Sequence, residues 1–191
     1  MPACAPTTRL WLGACLIAVW ASAMAWAFWW YEGRYIRPFG DQPAFFYGQK
    51  LHLPESLRGA QRIHVVHFHN PRCPCEAATL DHLEQLIKRF AADEVSFYVL
   101  SSQAPSQALL ERLPRLDTLQ GAEHTPASPS VAIWAKNDQL AYFGPYSESA
   151  VCSSENSLVE PVLEALTQGR TPLINNQMSS GCLCPWPSSE A

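Results

Sequence analysis

Two short stretches of this 191-residue chain hold the side chains best suited to chemistry. In VVHFHNPRCPC, residues 65–75, Cys73 and Cys75 flank a single proline just after an apolar run that carries His64, His67 and His69. In GCLCPW, residues 181–186, Cys182 and Cys184 repeat the same C-x-C spacing. A thiolate attacks disulfides and also binds soft metal ions. C-x-C pairs therefore point to thiol–disulfide exchange, a metal site, or a structural cross-link.

The local sequence around Cys73 favours exchange. Pro74 suits the first position of a helix, where its missing N–H would be unpaired anyway. Free amides and the positive end of a helix dipole stabilise a thiolate at Cys73, with Arg72 adjacent. Glu76 opposes this if it turns inward, or else caps the helix start. A bond between Cys73 and Cys75 would close a tight, strained ring and make an oxidising couple. His67 is the expected proton carrier, since an imidazole titrates near neutrality. Two other readings stay open. Cys152, Cys182 and Cys184 could staple the C-terminal tail to the domain, or the tail cysteines could exchange with Cys73 or Cys75 in a relay. Alternatively, Cys73, Cys75, Cys182 and Cys184 could bind Zn(II) or Cu(I), although C-x-x-C is the commoner zinc spacing. His64, His67 and His69 are expected on one strand face, chiefly as core or edge residues with backbone partners. His52, His82 and His124 are expected at the polar surface.

The elements that must position these residues follow from period and punctuation. Residues 44–53 read as a strand interrupted by Gly48, and 62–69 as a buried strand rich in β-branched and aromatic residues. Leu80, Leu83, Ile87 and Phe90 recur at helical spacing after the CPC. A strand at 95–102 and a short helix at 106–113, stopped by Pro114, come next. Val131–Ala135 and Leu140–Phe143 form a hairpin around Lys136-Asn137-Asp138. Residues 157–169 make an amphipathic helix that tolerates Pro161 only in its first turn, and Gly169 ends it. The loop GPYSESAVCSSENS, residues 144–157, is either a functional surface near the cysteine end of the sheet or a plain Ω-loop. The order predicts a small mixed sheet with helices on both faces.

Leu10 to Tyr31 contains no charged residue. About 20 apolar residues in a helix cross a bilayer core of about 30 Å. Trp26, Phe28, Trp29, Trp30 and Tyr31 resemble an interfacial aromatic belt. An uncleaved anchor is expected over 10–31, preceded by a short segment 1–9 and followed by a linker over 32–43, a domain over 44–169 and a cysteine-containing tail over 170–191. The run is long for a signal peptide and ends in bulky aromatics. Beyond it lie Cys73, Cys75, Cys152, Cys182 and Cys184, an odd number, so one is free or pairs with another chain. This cysteine usage suits an oxidising compartment, with the domain outside the cytoplasm. A net charge of −4 without a basic stripe gives no sign of a nucleic-acid partner.

A cysteine pair between a buried strand and a helix resembles the thioredoxin superfamily. Cys73 falls on that family's first active-site cysteine, and the segment SPSVAIW is similar to its cis-proline segment, with Pro129 on the proline and Ser128 before it. The resemblance covers about residues 60–168, and with the tail motif it points to a bacterial membrane-anchored branch. It implies a thioredoxin-like fold and a protein thiol or disulfide as substrate, held at Ser128 and Pro129. Cys73 and Cys75 would be the redox pair, with no cofactor and no resident metal. It also implies a soluble domain in the periplasm, held by a single pass through the inner membrane, and a redox partner protein to recharge it. The chain departs from the family in having C-x-C for C-x-x-C and His67 where a buried acid is usual. The runner-up is a non-catalytic thioredoxin-fold module that binds Cu(I) or Zn(II), or an assembly scaffold.

Overall fold

The computed structural model describes residues 6–31, 33–41, 47–90, 94–147, 156–170, 172 and 179–187. It divides into two compact units, Met1–Arg34 and Tyr35–Ala191.

The first unit is one helix, α1 (Pro6–Tyr31). The span Thr8–Tyr35 has a mean hydropathy of 1.7, long and apolar enough to cross a membrane. Its large side chains are exposed all round, as a helix facing lipid requires. Trp26 stacks on Trp30 at 5.5 Å, and the Arg34 guanidinium lies 4.4 Å from the Trp30 ring centre.

The second unit is built on a four-stranded mixed sheet. Its strands are β2 (Ile63–His69), β3 (Val95–Ser101), β5 (Ser130–Trp134) and β6 (Leu140–Gly144), in the order β3-β2-β5-β6. Strand β2 runs parallel to β3 and antiparallel to β5, and β5 and β6 form the hairpin. Helix α2 (Glu76–Phe90) makes the crossover between the parallel strands. Helices α3 (Gln107–Leu110) and α4 (Val159–Thr167) follow. The 106–113 helix is cut to one turn, capped by the Ser106 hydroxyl accepting from the Leu109 amide at 3.3 Å. Gly169, at φ 70°, ends α4 as expected.

Alternation along β2 splits the core in two. Ile63 and Val65 face a cluster with Leu83 and Leu86 of α2, Leu109 of α3, and Val162, Leu163 and Leu166 of α4. Val66 and Phe68 face the other way, onto Phe39, Leu51, Leu53, Leu119, Leu183 and Trp186. Among the described residues, α2, α3 and α4 pack on the first face, and the helical pair Tyr47 and Gly48 lies on the other. Loops and the two ends of the unit cover the other face. Residues 47–53 are not a strand. Lys50 and Leu51 donate to the carbonyls of Tyr47 and Gly48 in a tight turn, and only His52 bridges, to Gln120. Gly121 beside it has φ 90°, and a Cβ there would collide with the Lys50 carbonyl.

The tail is part of this second layer. Strand β7 (Ser180–Cys182) pairs antiparallel with β1 (Ile36–Pro38), and β8 (Cys184–Pro185) with β4 (Ala127–Ser128). Leu183 and Trp186 between and beyond them are 2% and 4% exposed, so their burial draws the tail into the core.

Candidate functional site

The site grows from the end of β2. Asn70 closes the strand, and its side chain accepts from the Arg72 amide at 3.2 Å while its carbonyl accepts from the Cys73 amide at 2.9 Å. This Asx-type turn swings the chain into the CPC. The Glu76 amide then donates to the Cys73 carbonyl at 3.1 Å, and the Thr79 hydroxyl donates to that of Cys75 at 3.1 Å, which opens α2.

Cys73 and Cys75 are not bonded to each other. Disulfides join Cys73 to Cys184 and Cys75 to Cys182, with Cα–Cα distances of 5.8 and 5.5 Å. Neighbours at i and i+2 diverge where the chain enters a helix, and each sulfur instead meets one cysteine of the tail. Both sulfur-bearing residues of the CPC are buried. The Ser128–Pro129 bond is cis, and the Ser128 carbonyl oxygen lies 3.7 Å from Cys73 Sγ. Cys184 stands opposite Ser128 in the β4–β8 ladder. The structure thus gathers Cys73, Cys75, Cys182, Cys184, Ser128 and Pro129. Cys152 lies outside the described residues. Cys15 is free and exposed on α1.

His67 belongs to a second cluster. Its Nε2 and the Nδ1 of His69 each lie 2.6 Å from the same Glu76 oxygen, Oε1. Glu76 Oε2 accepts from the Asn70 amide at 3.2 Å, and His67 Nδ1 is 3.0 Å from the Tyr146 hydroxyl. Burial alone would push the Glu76 carboxyl up. The charges and hydrogen bonds of His67 and His69 outweigh it and hold the carboxyl down at about 2. Among the described residues no hydrogen bond joins His67 to a sulfur; its ring is held by Glu76 and Tyr146.

His64 does not share a face with His67 and His69. Odd spacing on a strand puts it on the opposite side, stacked on Tyr98 at 5.8 Å. His82, expected at the surface, is 1% exposed, and its Nε2 is 3.0 Å from the Ser157 hydroxyl. Burial lowers the pKa of both rings, against opposing carboxylates at Asp138 and Glu160 respectively.

Two ligand sets in the described residues could hold a metal. The sulfurs of Cys73, Cys75 and Cys184 form one, and His67, His69 and Glu76 the other; in each set the donor atoms lie within 4.8 Å of one another. The sequence suggested Glu76 as a helix cap or as an inward charge opposing the Cys73 thiolate, and gave no sign of Asn70 or Tyr146. The signal present was a carboxylate seven residues after a histidine, across a strand-to-helix turn.

The chain belongs to the DUF6436 family, a domain of unknown function whose model matches residues 42–186. No curated protein matches it. A hypothetical protein from Sinorhizobium meliloti 1021 is similar in structure, with a TM-score of 0.52 at 12% identity over 66% of this chain and 80% of that one. An uncharacterized conserved protein from Geobacillus kaustophilus has a TM-score of 0.50 at 16% identity over 80% of this chain and 90% of that one. At these identities the likeness concerns the fold alone. The mixed sheet with helices is compatible with a thioredoxin-like fold.

Proposed function

We propose that this chain is a membrane-anchored, thioredoxin-like thiol–disulfide exchange protein in which the CPC works with the CLC of its own tail. One observation carries the reading. Cys184 sits on a strand paired with Ser128, bonded to Cys73, where the thioredoxin resemblance puts a substrate strand and its mixed disulfide. The tail thus lies as a resident substrate against the cis-proline segment, held by edge-strand pairing.

The exchange balances as a two-electron step. A substrate thiolate attacks Cys73 Sγ; a substrate–Cys73 bond forms as Cys73–Cys184 breaks, and Cys184 leaves as a thiolate. A second substrate thiolate attacks the substrate sulfur of that mixed disulfide and expels Cys73, whose thiolate is stabilised by the amides at the start of α2. The substrate dithiol becomes a disulfide, and the protons it loses to solvent are matched by those Cys73 and Cys184 take up. Cys75 returns the pair to its oxidised state. The Cys73 thiolate attacks Cys75 Sγ, forms Cys73–Cys75 and releases Cys182 as a thiolate, so the second oxidising equivalent passes from Cys75–Cys182 to Cys73–Cys75. A partner protein recharges the four thiols by the reverse exchange. The disulfides suit an oxidising compartment, and with α1 as a single inner-membrane pass the domain lies in the periplasm.

The test uses the full chain in detergent and a dithiol peptide. Cys73→Ser is expected to abolish peptide oxidation, with Cys15→Ser unchanged. Full activity in Cys73→Ser would refute the assignment.

A further inference from the structure

We propose that His67 Nε2, His69 Nδ1 and Glu76 Oε1 form a binding site for one divalent first-row metal ion, Zn(II) foremost, separate from the cysteines.

Convergence is the first argument. Two imidazole nitrogens lie 2.6 Å from one carboxylate oxygen, while the other oxygen has only the Asn70 amide at 3.2 Å. The three ligand atoms lie within 4.8 Å of one another, each from a different side chain. A zinc ion about 2 Å from each ligand holds them about 3 to 3.5 Å apart. Both His–Glu pairs reach that spacing by opening less than an ångström.

Support around the ligands is the second argument. A metal-bound imidazole has its other nitrogen held by a hydrogen-bond partner, which fixes its orientation. His67 has this partner in the Tyr146 hydroxyl at 3.0 Å, and the Tyr146 ring packs against it edge-on at 5.6 Å. The remaining Glu76 oxygen is tied to the Asn70 backbone. The two histidines stand two residues apart on the central strand β2, and Glu76 opens α2, so rigid elements carry all three ligands.

The donor set is the third. A two-nitrogen, one-oxygen donor set suits Zn(II) and leaves a fourth position open.

Metal binding is measured on the full chain in detergent, with disulfides intact and free thiols alkylated, so the result does not depend on the exchange reaction. One equivalent of Zn(II) is expected to bind and raise the thermal unfolding midpoint. Co(II) in its place is expected to give visible d–d bands without thiolate charge-transfer absorption. His69→Ala should abolish binding. Tyr146→Phe keeps the ring packing and should weaken affinity about 10-fold or more by freeing His67 Nδ1. The proposal is overturned if wild type takes up no Zn(II) and gains no stability. Thiolate bands from Co(II), or unchanged affinity in a folded His69→Ala, overturn it as well.

Discussion

The two faces of the sheet are held in different ways. One is covered by α2, α3 and α4, whose leucines and valines meet Ile63 and Val65. Apolar burial suffices there, because amphipathic helices bring their own hydrogen bonds and a continuous apolar stripe. The other is covered by segments too short and irregular to be stable alone: the Phe39 stretch, the turn at 47–53 and the tail. There Leu183 and Trp186 supply apolar contact, and Cys73–Cys184 and Cys75–Cys182 fix it covalently. One face is permanent, and the other is as permanent as its disulfides. In the proposed exchange, opening the bridges at the CPC would free the tail face and leave the helical face in place.

The sharpest way to break this comparison is to remove the cross-links. The bridges span 111 and 107 residues in sequence, and each is expected to contribute about 2–5 kcal/mol. In Cys182→Ser/Cys184→Ser, hydrogen exchange should rise at Ala127, Ser128 and 180–186 and stay slow in α2 and α4. Equal acceleration on both faces would show that they form one cooperative unit.

Core truncations give the next effect. Trp186→Ala is expected to cost about 3–5 kcal/mol and Leu86→Ala about 2–5 kcal/mol in the oxidised protein. After reduction the Trp186 penalty should shrink while that of Leu86 persists, as read from denaturant unfolding.

Acidification tests one buried histidine on each face. Burial lowers the folded-state pKa of His64 and His82 below 6.5. The unfolded chain therefore takes up protons first, and stability is lost as pH falls from about 6.5 toward the folded values. Unfolding measured at pH 7 and pH 5 should show this loss, and His82→Asn should flatten part of it. Arg89→Ala gives the smallest effect. Arg89 pairs with Glu160 at 2.7 Å but is half exposed, so its loss should cost no more than about 1 kcal/mol.

The helical face was legible in the sequence because its signals are local. The period of Leu80, Leu83 and Ile87, the β-branched run at 63–66, the hairpin turn at 136–138 and Pro161 in the first turn of α4 all appear as read. The tail face was not, because its contacts join distant segments. Nothing near Ile36 announces a partner at Cys182, and C-x-C spacing alone does not reveal which sulfurs meet. Within the strand expected over 44–53, residues 44–46 lie outside the described residues, and 47–53 read as a strand because apolar residues in a buried turn look like those of a strand. The relation of His67 to Glu76 was hidden by the turn between them, and the misplaced His64 came from overlooking its odd spacing.

The most direct test of the central claim is a disulfide map of the full chain purified from an oxidising compartment, repeated across graded thiol/disulfide buffers. Free thiols are alkylated at each step, and cross-linked peptides are identified by mass without reduction. The account predicts Cys73–Cys184 and Cys75–Cys182 in the oxidised chain, opening reversibly, with Cys73–Cys75 gained at intermediate poise. Bridges that stay closed until the protein is unfolded would make them plain staples. A Cys73–Cys75 bond already present in the fully oxidised chain would contradict the tail's place as resident substrate.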